Sequence, residues 1–402
     1  MLTAIIVGEN AALVKYLRQV CAEFGDICIH RTIDGAARRY DIAAALSAYE
    51  PDVAFVDVSE LDRPDSLAAV CLQELLPRRL RTVLVPLATQ PQSECLERAP
   101  GGVTGPLLTP PFDAEQLDRA VRAALRKRSS QQASQVLAVL PAKAGDGAST
   151  LAINLAGTAV RAFKKKTLYI EADLHSGAIC HTLNLQPRFP VGEIFLNSGS
   201  LMDGWSGAVT PSHGVDILPT GGSTQTLRGS RWDFYRLLRF AREQYEVVVV
   251  DLPAGIDEVA EAVIAEADRV AMVCTPEPSS VGLISRRLRD LEAGGTRQGH
   301  LRLVLNRYAE GDLDPHELAR LARREVSTVL PEDAKAAKAA CRQSSLLSPG
   351  SRLLSAIVDL TGDLLQMPAP VRSFSLGDLV KGIAGKVAGT HYQAGDRSTE
   401  IN

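Results

Sequence analysis

Two α/β domains, each built on a doubly wound parallel sheet, are what this sequence predicts. Three observations lead there. Short apolar runs of strand length recur along the chain, stretches with helical spacing separate them, and several of the runs end in a carboxylate followed by a turn. With 402 residues, 46% of them apolar, the chain can bury two cores and still leave a tail.

Taken in order, LTAIIV (2–7) is a first strand, and AALVKYLRQVCAEF (11–24) carries its apolar residues at helical spacing. DVAFVDV (52–58) is a buried strand after Pro51, and TVLVPLA (82–88) is another. PFDAEQLDRAVRAALRKR (111–128) closes a first domain, 1–127, as a helix with an aspartate at its start. RSSQQAS (128–134) has no apolar period and is expected to be a linker. A second domain, 135–367, has strands in VLAVL (136–140), TLYIEAD (167–173), VDILPT (215–220), EVVVVDLP (246–253), RVAMVCTP (269–276) and LRLVLNR (301–307), and ends with a helix at 351–365. Apolar strands of this kind, separated by helices, suit a parallel sheet covered on both faces.

Pro368 and Pro370 then break the chain and open a tail, 368–402. Within it, SLGDLVKGIAGKVAG (375–389) lines up Leu376, Leu379, Val380, Ile383 and Val387 on one helical face. Two readings stay open: an amphipathic helix making peripheral membrane or partner contact, or a loosely ordered tail weakened by its glycines.

A net charge of −3 provides no basic field, so nucleic acid is not an implied partner; the basic clusters RAFKKK (161–166) and SRRLRD (285–290) are short enough to be solvated helix faces. Seven cysteines without a CxxC pair point to free thiols of a cytoplasmic protein. Cys180, His175 and His181 show no matching pair of metal ligands. There is no 18-residue apolar run, and residues 1–20 lack a signal-peptide layout. A cytoplasmic location is expected, with polar or peripheral placement at the membrane left open.

The chemistry concentrates in VLAVLPAKAGDGASTLAINLA (136–156), a strand, a glycine turn and the start of a helix. Such a turn binds anions because free backbone N–H groups and the positive helix end converge on it. The ordinary loop has a lysine just before its hydroxyl residue. Here Ala148 holds that place before Ser149, and Lys143 lies five residues upstream. Gly145 and Gly147 allow close approach of phosphate, and Asp146 adds a negative charge inside the loop. In a parallel sheet, three further strand ends meet this loop. They carry Asp173, Asp251 before Leu-Pro-Ala-Gly, and Asn306. Ser149 opens the helix where a Mg²⁺-binding hydroxyl is wanted, Asp251 can hold a Mg²⁺ water, and the Asn306 amide could read a base edge; helix capping by Asp173 and Asp251 and turn formation by Asn306 are the alternatives.

KAGDGAST (143–150, comprising Lys143, Ala144, Gly145, Asp146, Gly147, Ala148, Ser149 and Thr150) resembles the deviant Walker A motif of the MinD/ParA ATPases, whose usual form is KGGxGKTT. EAD (171–173) is similar to their switch segment, DLPAG (251–255) to their Walker B, and VLNR (304–307) to their adenine-contacting strand. The resemblance implies a MinD/ParA-type fold for 135–367 with ATP and Mg²⁺ as cofactors. It makes Lys143 a lysine that reaches across a nucleotide-held homodimer, and Asp173 the water-positioning carboxylate. It places Ser149 and Asp251 on magnesium and Asn306 on adenine.

Residues 1–127 resemble a response-regulator receiver of flavodoxin-like fold, with Asp57 at the phospho-acceptor position in AFVDVS. Gly8-Glu9 supplies one acid where two are usual, and Pro110-Pro111 stands where a lysine and proline are usual. A pseudo-receiver that acts as an interaction module is therefore expected, with phosphorylation of Asp57 as the weaker alternative. A receiver-like domain fused to such an ATPase is similar to the TadZ/CpaE family, which implies a role in localising and assembling Tad/Flp-type pilus secretion machinery.

One lysine near the phosphates is worth on the order of 4 kcal/mol at 4 Å for an effective dielectric near 20, before desolvation. Its loss weakens ATP binding without abolishing it, because the backbone amides, Mg²⁺ and Lys143 remain. Hydrolysis suffers more, since transition-state charge depends on a positioned cation. The sequence thus predicts a nucleotide-dependent dimer with weak or negligible ATPase activity. A slow dimer-dependent ATPase switch and a nucleotide-free scaffold are the alternatives.

Overall fold

The computed structural model describes residues 1–34, 39–61, 63, 66–75, 82–90, 105–129, 134–189, 201–220, 230–293 and 298–369. The amphipathic segment 375–389, residues 130–133 of the expected linker, and residues 190–200 and 221–229 lie outside that set.

The first sheet contains β1 (Leu2–Val7), β2 (Ile27–Ile33), β3 (Val53–Asp57) and β4 (Val83–Leu87), all parallel, in the order β2-β1-β3-β4. This is the flavodoxin-like order. An isolated parallel bridge from Leu108 to Leu87 continues it beyond β4. β1, β3 and β4 are buried on both faces, between α1 (Ala11–Phe24) with α4 (Ala114–Ser129) on one side and α2 (Arg39–Tyr49) with α3 (Leu67–Leu75) on the other. α1 starts where the Asn10 carboxamide accepts the N–H groups of Ala12 and Leu13 at 3.0 and 3.1 Å. α4 begins three residues later than 111 and runs through Ser129, into the segment expected as linker. β2 was not among the expected strands. It lies at the sheet edge with a largely exposed middle, so ICIHRTI lacks the solid apolar run of its neighbours.

The second sheet has eight strands. β5 (Gln135–Pro141), β6 (Thr167–Glu171), β7 (Thr210–Ser212), β8 (Val215–Leu218), β9 (Val247–Asp251), β10 (Arg269–Cys274), β11 (Leu301–Tyr308) and β12 (Val326–Pro331) assemble in the order β12-β11-β10-β5-β9-β6-β8-β7. All pairs are parallel except β7 with β8. One face is covered by α5 (Ala148–Arg161) and α13 (Arg352–Leu365), the other by α8 (Arg231–Gln244), α9 (Glu258–Glu266) and α10 (Pro278–Ala293). Shorter helices α6 (Ile179–Leu183), α7 (Leu201–Ala208), α11 (Pro315–Ala322) and α12 (Ala334–Arg342) fill the connections. β5 is central, with β9 on one side and β10 on the other, so the loop after β5 opens where the strand order changes direction.

The two sheets share a packed boundary. Trp232 and Tyr235 of α8 join the apolar cluster beneath α1 and α4. Around them, Arg231 meets Asp26 at 3.1 Å and Arg239 meets Asp52 at 3.6 Å.

Candidate functional site

The loop between β5 and α5 is shaped by its glycines. Gly145 and Gly147 have φ of +93° and +91°, in the left-handed region that side chains disfavour. A Cβ on Gly147 would also lie 2.5 Å from the Asn306 amide nitrogen, so the position is closed to any side chain. Gly147 caps α5 with no side chain in the way, which leaves the first N–H groups of the helix available to an anion.

The Asp146 carboxylate is engaged within the fold. It is buried and accepts the Lys143 N–H at 2.9 Å, the Ser280 hydroxyl at 2.8 Å and the Thr275 hydroxyl at 3.2 Å. The carboxylate is also a staple, tying the loop to the end of β10 and the start of α10. Lys143 is engaged too. Its ammonium pairs with Glu277 at 2.9 Å, and that hydrogen bond raises the lysine's affinity for its proton.

Asp251 ends β9 beside the loop. Burial pushes its carboxyl up to about 7, the Ser149 hydroxyl and the Tyr169 phenol pull it back, and the charges of Glu171 and Asp173 add to the rise. Tyr169 donates to Oδ2 at 2.8 Å, whereas Oδ1 is buried without a hydrogen-bond partner among the described residues. A buried, unpaired carboxylate oxygen next to a hydroxyl is a hard-cation donor set, so these residues fit Mg²⁺.

The segment EAD (171–173) divides its labour. Glu171 is buried and accepts Ile179 N–H at 2.8 Å, Thr220 N–H at 2.9 Å and the Thr220 hydroxyl at 2.6 Å. Asp173 is half-buried, and one of its oxygens holds the turn through His175 N–H at 3.1 Å and Ser176 N–H at 2.8 Å. A pocket of about 190 Å³ brings Asp173, Asp251, Ser149 and Tyr169 together.

A second cleft, about 350 Å³, opens on the other side of the loop between Gly147, Thr150, Asn306, Arg307 and the segment 330–333 at the end of β12. Asn306 is buried there and its Nδ2 donates to the Asp146 carbonyl at 2.8 Å. A carbonyl can only accept, so the amide orientation is fixed, with the oxygen left as its acceptor. The four strand ends named from the sequence, after β5, β6, β9 and β11, therefore converge on one edge of the sheet.

No family model matches the chain. Among curated proteins it is 26% identical over 216 residues to an uncharacterized ATP-binding protein of Methanocaldococcus jannaschii, covering 53% of this chain and 80% of that one. A second such protein from the same organism is 24% identical over 262 residues, with 62% and 97% covered. The septum site-determining protein MinD of Thermotoga maritima is 24% identical over 182 residues, with 43% and 64% covered. Among solved structures, a ParA family ATPase from Chlorobium tepidum TLS superposes with a TM-score of 0.52 at 20% identity, covering 57% of this chain and 98% of its own. MinD from Pyrococcus horikoshii, complexed with Mg-ADP, gives 0.51 at 19% identity, with 57% and 96% covered. The fold of the part with the eight-stranded sheet is that of the MinD/ParA ATPases.

Outside the MinD/ParA-type sheet, Asp57 makes a contrasting site. Its Oδ2 accepts Asn10 N–H at 3.2 Å and its Oδ1 accepts Ser59 N–H at 3.1 Å. Nearby, Glu9 accepts Leu67 N–H at 3.2 Å and faces Arg63 at 3.9 Å. Both acids are engaged with backbone N–H groups of the loops and helix start around their own sheet.

Within the MinD/ParA-type site, sequence reasoning missed Tyr169, Glu277, Thr275 and Ser280. Tyr169 had a usable signal: a phenol in the otherwise aliphatic run TLYIE must find a buried partner. The others act on Lys143 and Asp146 across more than a hundred residues, and no local pattern carries that information.

Proposed function

We propose that this protein binds ATP with Mg²⁺ at the loop 143–150 and acts as a nucleotide-dependent localisation and assembly factor for a Tad/Flp-type pilus, with hydrolysis weak or absent. The observation that carries the nucleotide reading is the 350 Å³ cleft joined to a helix start with no side-chain cap, lined by Asn306 with its amide orientation fixed. An acceptor there matches the exocyclic amine of adenine and opposes the carbonyl of guanine. Similarity to curated ATP-binding proteins and to a MinD solved with Mg-ADP supports the same ligand.

Ser149 and Asp251 would hold the magnesium, which when bound neutralises phosphate charge. Binding there relieves the unpaired Asp251 oxygen, so metal and nucleotide reinforce each other. Ala148 leaves transition-state charge without the usual cation, which is the argument for slow turnover. In this reading Lys143 leaves Glu277 to serve a second copy of the chain across a homodimer, and Asp173 positions water. The pilus assignment rests on the flavodoxin-like sheet preceding the MinD/ParA-type one, the combination similar to TadZ/CpaE; peripheral contact with the membrane belongs to the same proposal.

Equilibrium dialysis with Mg-ATP and Mg-GTP tests the central claim. Micromolar ATP binding, weaker GTP binding and loss in Asp251→Ala are expected; equal affinity of wild type and Asp251→Ala would count against it. The pilus role is tested by surface pili in a deletion strain complemented with wild type or Asp251→Ala.

A further inference from the structure

Resting on the ATP reading above, we propose that Arg307 supplies, from the same chain, positive charge to the nucleotide phosphates that Ala148 cannot. The reason is a local break in strand geometry. Successive side chains of a regular strand point to opposite faces. Asn306 and Arg307 are consecutive residues of β11, yet both reach Gly147: a Cβ built there lies 2.5 Å from Asn306 Nδ2 and 3.8 Å from an Arg307 guanidinium nitrogen. The register shows how. Leu305 pairs with Val329 and Tyr308 with Pro331, so three steps along β11 (305 to 308) match two along β12 (329 to 331). The extra residue is a bulge, and Arg307 sits in it with φ of +57°, a conformation a non-glycine residue adopts at a cost. Bulges re-aim side chains, and this one turns a guanidinium onto the glycine that precedes Ala148.

The charge is also at liberty. Arg307 is exposed, lines the 350 Å³ cleft, and forms no ion pair among the described residues. Lys143, the other cation at the loop, is occupied by Glu277 at 2.9 Å. Arg307 lies close enough to both to hold Glu277 further down and to oppose the rise of Lys143. Lys338 lines the same cleft but belongs to α12, not to the loop. Of the acids there, Asp333 is committed to capping α12 through Ala336 N–H at 3.1 Å.

The test measures binding of ATP and of adenosine to the full chain in Mg²⁺, with urea midpoints to verify folding. Arg307→Ala should weaken ATP by about tenfold or more, as loss of a charge-assisted contact does, and leave adenosine within about twofold. Arg307→Asn, which tolerates the left-handed backbone, should do the same if the alanine variant is unstable. Arg307→Lys should retain most affinity, and Ala148→Lys should restore ATP binding to the Arg307→Ala chain. Unchanged ATP affinity in both charge-removing variants overturns the role of Arg307 while the ATP reading stands. An equal loss of adenosine also overturns it, because the arginine would then serve the base. Wild type binding neither ligand overturns the ATP reading and this inference together.

Discussion

Asp57 and Asp251 occupy equivalent places in two parallel sheets, each ending a buried strand, and their surroundings are opposite. Both Asp57 oxygens accept backbone N–H groups, from Asn10 and Ser59. Asp251 has a phenol on one oxygen and, among the described residues, only the neighbouring Ser149 hydroxyl and no backbone N–H for the rest of its carboxyl, and burial holds that carboxyl up at about 7. A carboxylate satisfied by its own backbone works for the fold. One that is buried and left incomplete costs stability as long as it is charged, and that cost is recovered only when a cation arrives. Strand-end position alone does not distinguish a site from a structural residue; the hydrogen-bond ledger does.

The sharpest way to break this comparison is to remove both charges. Asp251 favours its proton in the folded chain, so its contribution is full below the ordinary carboxylate range and is lost as pH rises through about 7. Asp251→Asn should therefore stabilise the metal-free chain at pH 8, by up to about 4 kcal/mol for a shift of roughly three units, and have little effect at pH 4. Urea denaturation in chelator measures it, and destabilisation at pH 8 would contradict the assignment. Asp57→Asn should act with the opposite sign, losing about 1–3 kcal/mol, because its NH₂ group cannot accept the N–H that the second carboxylate oxygen accepted.

Gly147→Ala probes the loop itself. The added Cβ meets Asn306 Nδ2 at 2.5 Å on a backbone with φ of +91°, so a loss of about 1–3 kcal/mol is expected together with ATP binding. Preserved nucleotide affinity would mean that the loop is not the cradle. A smaller effect is expected of Tyr169→Phe, about 1 kcal/mol from one hydrogen bond; loss of the phenol also frees Asp251 Oδ2, so titration with Mg²⁺ should protect this variant more than wild type against urea. Least of all, Lys143→Ala should leave the melting temperature unchanged, since its pairing with Glu277 is solvent-exposed. A clear fall would show that the pair is structural.

Much of this was legible in the residues. A solid apolar run such as VVVVD reads as a central strand of a sheet covered on both faces, and glycines at 145 and 147 before a helix read as a turn, and the structure has both. Those patterns are local, because strand burial and turn geometry depend on a few adjacent side chains. Edge elements such as β2 and β12 were missed because exposure at a sheet edge relaxes the apolar pattern that marks a strand.

Tertiary structure alone decided how the charges are spent. Asp146 looked like a repulsive neighbour of phosphate until Thr275 and Ser280 were brought to it. Asp57 and Asp251 looked alike until their partners were counted, and Arg307 was one more strand residue until a bulge aimed it at Gly147. Hydrogen bonds and ion pairs join groups distant in the chain, and their sign depends on distance and burial, which only the assembled sheets define.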